Sequence, residues 1–279
     1  MKEITLAYSP CPNDTYLFYG WSHNKLPQAP KINTVLADIQ QLNEWMRANK
    51  YPVTKGSYFS YARCMQEYIL LPAGAALGHN CGPKIIAKTA FNLADLTKKR
   101  IAIPGSDTTA HLLLCLLCPE PAQKIFCTYD QIGEMIANGN ADCGLIIHES
   151  RFTFKQQGFL EIADLGNLWE QQYQLPIPLG GIFAARNLGT QALNQISKAI
   201  QDSYLYARQH PETAHAYILE NSQEKDSKVI QQHIELYVNQ QTYALSAAAK
   251  EAIALLLRLA AEKKLLSLPA NIPWLHEVK

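Results

Sequence analysis

The stretch that decides the fold is "KKRIAIPGSDTTAHLLLCLL", residues 98–117, because there a pattern starts over. It reads as a basic lead-in, a strand, Pro104, a small polar turn and an apolar helix. Residues 3–21, "EITLAYSPCPNDTYLFYGW", have the same layout of strand, proline, polar cluster and helix. In that first copy Pro10 and Pro12 cannot donate backbone hydrogen bonds, so "ITLAY" ends as a strand there. Asn13, Asp14 and Thr15 are residue types that cap helices, and "TYLFYGW" can follow as one. A pattern that restarts predicts two α/β lobes, each with a mostly parallel sheet, rather than one continuous sheet.

Between the copies, "INTVLA" (32–37) reads as a strand. "DIQQLNEWMRAN" (38–49) reads as a helix capped by Asp38, with Ile39, Leu42 and Met46 on one face. Asn43 lies beside that stripe, so its amide is partly buried and needs partners. "YPVTKGSYFSYARCM" (51–65) reads as a strand through Val53 and Thr54, a turn at Gly56–Ser57, then a helix. "YILL", "PAGAALGHNCGP" and "KIIAK" supply two more strands around a glycine-containing loop. After the restart, "YDQIGEMIANGNADCGLIIHES" (129–150) is a helix, a Gly-Asn turn and a strand ending at His148. "FLEIADLG" and "PIPLGGIFAAR" are further strands, and no strand is expected after about Arg186. From there Leu193, Ile196, Ile200, Tyr204 and Ala207 keep helical spacing, as do Ala249, Ile253, Leu256, Leu257 and Ala260. The division expected is a larger lobe from residues 1–94 and 183–279 and a smaller lobe from 95–182, with crossings near 90–98 and 180–186.

The 279 residues are 48% hydrophobic and 18% charged, enough for a large core. Twenty-five Lys and Arg face 24 Asp and Glu, a net charge of +1, which gives neither nucleic acid nor an anionic membrane surface anything to attract. "MKEITLAYSP" is too short an apolar run for a signal-peptide core, and "AHLLLCLLCPEP" (110–121) is cut by Pro119. A cytoplasmic protein without an obligate protein partner is expected. Seven cysteines show no disulfide framework, and Cys115 and Cys118 sit in an apolar helical run as core thiols. No H-E-x-x-H, zinc-spaced Cys/His set, P-loop or G-x-G-x-x-G is present, so neither a metal nor a nucleotide cofactor is expected.

In open α/β sheets ligands bind beyond the carboxyl ends of the strands, where helix N-termini present free N–H groups and partial positive charge. "SPCPNDT" and "PGSDTTAH" are therefore the two walls of a cleft suited to a small-molecule carboxylate. Lys55, Gly56 and Ser57 lie where a strand meets a helix, and Thr108, Thr109 and Ala110 open the second lobe's helix. Ordinary capping explains the threonines equally well, and a snorkelling lysine explains Lys55. His148, with Glu149 beside it, ends an apolar strand, where a base working near neutral pH could sit and where a structural histidine could sit too. His111 is inside an apolar helix, His79 is in a loop, and His23, His210, His215, His233 and His276 read as surface or packing positions.

The blocks "SPCPNDT", "VTKGSY", "AALG…GP", "TTA-LLL", "GLIIHESRFT" and "LPIPLG" come in an order that resembles the 1,4-dihydroxy-6-naphthoate synthase family, over about residues 4–186. The resemblance implies a two-lobed fold like that of type II periplasmic binding proteins, with a cleft between the lobes. It implies a carbon–carbon lyase of the futalosine route to menaquinone, acting on cyclic dehypoxanthinyl futalosine. It makes His148 the proton acceptor and assigns substrate contacts to Lys55–Gly56–Ser57 and Thr108–Thr109–Ala110, to which Asn43 is added as a neighbouring polar group. Two positions depart from the pattern: His79-Asn80-Cys81 replaces a more glycine-rich loop, and Ser150 stands where glycine is common. The competing readings are chorismate dehydratase of the same pathway and a non-catalytic receptor for small carboxylates.

Overall fold

The computed structural model describes residues 3–270 and 273–277. The first lobe opens with β1 (Ile4–Tyr8), α1 (Pro12–Ser22), β2 (Ile32–Leu36), α2 (Ile39–Arg47), β3 (Val53–Ser57), the single turn α3 (Tyr58–Tyr61), β4 (Tyr68–Leu70) and β5 (Ala76–Gly78). The second holds β6 (Lys84–Ala87), β7 (Arg100–Ile103), α4 (Thr109–Leu117), β8 (Gln123–Phe126), α5 (Ile132–Ala137), β9 (Cys143–Ile146), the short α6 (Ser150–Thr153) and β10 (Leu160–Asp164). α7 (Leu165–Tyr173) leads back to β11 (Ile177–Ala185) in the first lobe. The helices α8 (Gly189–Gln209), α9 (His215–Asn221), α10 (Ser227–Tyr237), α11 (Gln240–Tyr243) and α12 (Ala247–Glu262) follow.

The first sheet runs β2-β1-β3-β11-β4, with β5 also on β11, and the second runs β10-β6-β9-β7-β8. Neither is mostly parallel. β1, β2 and β3 pair in parallel, but β11 runs antiparallel to β3, β4 and β5. β7 is parallel to β8 and β9, and β6 is antiparallel to β9 and β10.

Strand pairing also moves the expected lobe boundaries. "KIIAK" pairs with the second sheet as β6, so the chain crosses at residues 79–83 rather than near 90–98. The return passes through α7 at 165–176, because all of β11 belongs to the first sheet. The two crossings touch: a Cβ on Gly82 would lie 2.3 Å from the backbone nitrogen of Gly166. The Arg151 guanidinium holds the Gly82 and Asn80 carbonyls and the Asp164 carboxylate beside them. Close backbone approach is thus supplied by Gly82, while Asn80 takes the left-handed conformation (φ 56) and its N–H donates to Glu170. Ser150 simply opens α6 and needs no left-handed backbone.

Two local readings change. Cys11, in extended conformation, is the N-cap of α1, and Pro12 occupies its first turn, where a missing N–H costs nothing. Asn13, Asp14 and Thr15 therefore lie inside the first turn rather than capping it. Gly56 and Ser57 belong to β3, opposite Gly181 and Gly180, so the glycines mark close strand contact instead of a turn.

One apolar cluster joins the lobes. It contains Tyr58 and Phe183 of the first, Ile85, Leu113 and Leu145 of the second, and Ile253 and Leu256 of α12. The expected apolar stripes of α8 and α12 are buried. The segment after α12 returns to place Leu275 beside Leu70 as an isolated bridge, well past Arg186.

Candidate active site

A cavity of about 640 Å³, counting its mouth, lies between the lobes. Ser9, Asp14, Lys55 and Ser57 line it from the first lobe, and Thr108, Thr109, Ala110 and His148 from the second. Both walls read from the strand–turn–helix repeats therefore meet. Gly180 of β11 and Tyr237 of α10 also line it.

Two expected contacts are not on the cavity wall. Asn43 is fully buried behind Ser57: its Nδ2 donates to Ser57 Oγ (3.1 Å) and the Asp107 carbonyl (3.2 Å), and its Oδ1 accepts from Ser57 N–H (2.9 Å). With its amide committed to these partners, it positions Ser57 and the 104–108 turn. Gly56 faces the core, where a Cβ would come 2.9 Å from Met46.

Lys55 reaches the cavity with its charge already countered. Its Nζ donates to Asp14 Oδ1 at 2.8 Å, and both side chains are buried. Asp14 also accepts from Ser9 Oγ (2.7 Å) and Asn13 Nδ2 (2.8 Å), and it sits in the first turn of α1, where the helix dipole favours a carboxylate. The pair is locally neutral and leaves two ammonium protons of Lys55 for other acceptors.

The opposite wall is rich in donors. Thr108 caps α4, accepting from His111 N–H and donating to the Gly105 carbonyl. Thr109 and Ala110 lie in the first turn, whose N–H groups have no partner within the helix. Thr109 Oγ1 accepts from Tyr58 N–H (3.0 Å), as Ser57 Oγ accepts from Asn43. Each hydroxyl therefore keeps its proton to donate.

His148 follows β9 with φ 62, a left-handed conformation that costs an L-residue about 1–2 kcal/mol. Such strain persists where the surroundings hold it, and here it turns the ring into the cavity mouth. Burial pulls its pKa down to about 4, so the imidazole is neutral over the physiological range. Nδ1 lies 3.6 Å from Cys11 Sγ. In the tautomer that carries its proton on Nδ1, directed at sulfur, the Nε2 lone pair is free to accept. Glu149 is buried, and burial raises its pKa to about 7.

His233, which reads as a surface or packing position in the sequence, stands at the site. It is fully buried on α10, its ring lies parallel to that of His148 with centroids 6.2 Å apart, and its Nε2–H donates to Asn13 Oδ1 (2.9 Å). Tyr237, one turn later on the same face, donates to the Cys81 carbonyl (3.2 Å). The four-residue spacing of a histidine and a tyrosine in "HIELY" was the available signal.

Two sheets around a central cleft place the protein among two-lobed binding-protein folds. The alkanesulfonate-binding protein SsuA of Xanthomonas axonopodis, bound to MOPS, superposes with a TM-score of 0.73 at 16% identity, covering 99% of both chains. A structural-genomics protein of Archaeoglobus fulgidus superposes with a TM-score of 0.90 at 31% identity, covering 95% of this chain and 98% of that one. A family model described as menaquinone biosynthesis matches residues 4–262. The 1,4-dihydroxy-6-naphthoate synthase of Thermus thermophilus is 38% identical over 98% of both chains, and that of Streptomyces coelicolor 38% over 93% of both. The chain belongs to the menaquinone-biosynthesis family that contains these two synthases.

Proposed function

We propose that this protein is a cytoplasmic 1,4-dihydroxy-6-naphthoate synthase, a lyase that cleaves a carbon–carbon bond of cyclic dehypoxanthinyl futalosine, with His148 as general base. The observation that carries the reading is a neutral, desolvated imidazole facing a cavity whose other wall offers carboxylate donors. The substrate's benzoate-type carboxylate is held by the hydroxyls of Ser57 and Thr109 and the N–H groups of Thr109 and Ala110. Lys55, balanced by Asp14, adds a charged donor from the facing wall of the first lobe. The Nε2 lone pair of His148 takes the proton whose removal starts cleavage, and aromatisation of the product ring supplies much of the driving force. Relatives named as synthases favour this over chorismate dehydratase or a receptor.

Incubation with the cyclic futalosine derivative and mass-spectrometric detection of dihydroxynaphthoate tests it. His148→Asn should lose at least about 100-fold in kcat while still binding substrate. With the imidazole titrating at about 4, the acid limb of kcat/KM should fall well below the ordinary histidine range. Near-normal turnover by folded His148→Asn would remove the base assignment, and binding without any product would favour a receptor.

A further inference from the structure

The cleft carries a second chemistry that base catalysis does not use. Cys11 Sγ, His148 Nδ1 and a Glu149 carboxylate oxygen all lie within 4.8 Å of one another. The sulfur–nitrogen separation is 3.6 Å. A tetrahedral zinc ion, with bonds of about 2.3 Å to sulfur and about 2.0–2.1 Å to nitrogen, sets those two ligand atoms about 3.6 Å apart. His233 stands alongside, outside that set of mutually close ligand atoms. Its Nδ1 is buried without a hydrogen-bond partner, 3.9 Å from Glu149 Oε2. Its other nitrogen donates to Asn13, so the orphan nitrogen stands as an acceptor beside the Glu149 carboxyl.

We infer that Cys11, His148 and Glu149, with solvent as the fourth ligand, form a site for a zinc-class divalent cation that reversibly shuts the enzyme off. A thiolate and an imidazole select zinc, cobalt or cadmium over magnesium or calcium. Ligation needs the thiolate and the carboxylate, so the cation enters by displacing the Cys11 proton, and that of Glu149 where present, to solvent. One thiolate and one carboxylate then cancel its two charges. The donors come from the start of α1 and the turn after β9, so the ion ties the second lobe to the first. Metal on Nδ1 forces the ring proton onto Nε2 and removes the lone pair that faces the cavity. This last consequence rests on His148 being the base; the binding does not.

Cobalt titration of the chelator-treated full chain tests the site without reference to turnover. The expected result is one Co2+ per chain, with a thiolate-to-cobalt charge-transfer band and the intense visible bands of four-coordinate cobalt. Cys11→Ser should abolish the charge-transfer band and Cys115→Ser should leave it. Glu149→Gln should weaken binding by about 10–100-fold. X-ray absorption on the zinc-loaded wild type should report one sulfur and three nitrogen or oxygen neighbours, a readout independent of whether any variant folds. Absence of stoichiometric binding, a shell without sulfur, or a band retained in Cys11→Ser overturns the site. Zinc should inhibit turnover and a chelator restore it. Cobalt bound as described with turnover unaffected would overturn the base assignment and leave the site standing, whereas no binding together with an inactive His148→Asn would do the reverse.

Discussion

Lys55 and Asp14 show how much a single contact changes a reading. From the residues alone the lysine is either a partner for an anion or a side chain snorkelling to solvent; folded, it is half of a buried pair. Removing one partner of such a pair strands a buried charge at a cost of about 3–5 kcal/mol. Lys55→Met alone should show that loss in urea denaturation, and adding Asp14→Asn should recover part of it; losses that merely add would refute the coupling. Glu149 makes a pH prediction. Its carboxyl titrates at about 7 in the folded chain against 4.5 as its ordinary value. Between those values the folded state holds a proton that the unfolded chain has released, so stability falls as pH rises through the window and levels off above it. Glu149→Gln has no such titration, and His148 titrates in both proteins. The stability of the wild type relative to the variant should therefore drop by about 3 kcal/mol between about pH 4.5 and 8. Parallel profiles would put the glutamate in water.

Elements are legible where local chemistry determines them. β1 occupies "ITLAY", and Asp38 caps α2 by accepting from Gln40 and Gln41 N–H. They are misread where glycine has two meanings, as at Gly56, which lies within β3 and leaves room for Met46 instead of making a turn. Gly82 makes the same point at the crossings, where it meets the backbone of Gly166. Gly82→Ala should cost about 1–3 kcal/mol by overpacking. Gly133, inside α5 with only ordinary contacts around an added Cβ, should instead gain up to about 1 kcal/mol as alanine. Thermal denaturation of the two variants reads the difference, and shifts of the same sign would deny the crossing its tight contact.

At the scale of the whole molecule, α4 of the second lobe packs against α3, β11 and α12, so the lobes share a core across the cleft. Unfolding should then be one transition, coincident by far-ultraviolet circular dichroism and tryptophan fluorescence. Leu113→Ala, at a fully buried position of α4, should lower stability by about 2–5 kcal/mol and move both signals together. Two separated transitions would show that the lobes fold independently.

Strand period, proline stops and helix caps act within a few residues, so the two lobes, the helical C-terminal region and the cavity walls are legible in the chain. It also marked His148, Ser57 and the Thr108–Ala110 turn, which lie beside those stops. Strand partners were beyond it: "KIIAK" joins the second sheet through pairing with β9, and no local signal names a partner that far along the chain. The same holds for Asp14 on Lys55, Asn43 behind Ser57, and His233 beside Glu149. Those contacts join residues 41, 14 and 84 positions apart, and only the closed fold brings them within bonding distance.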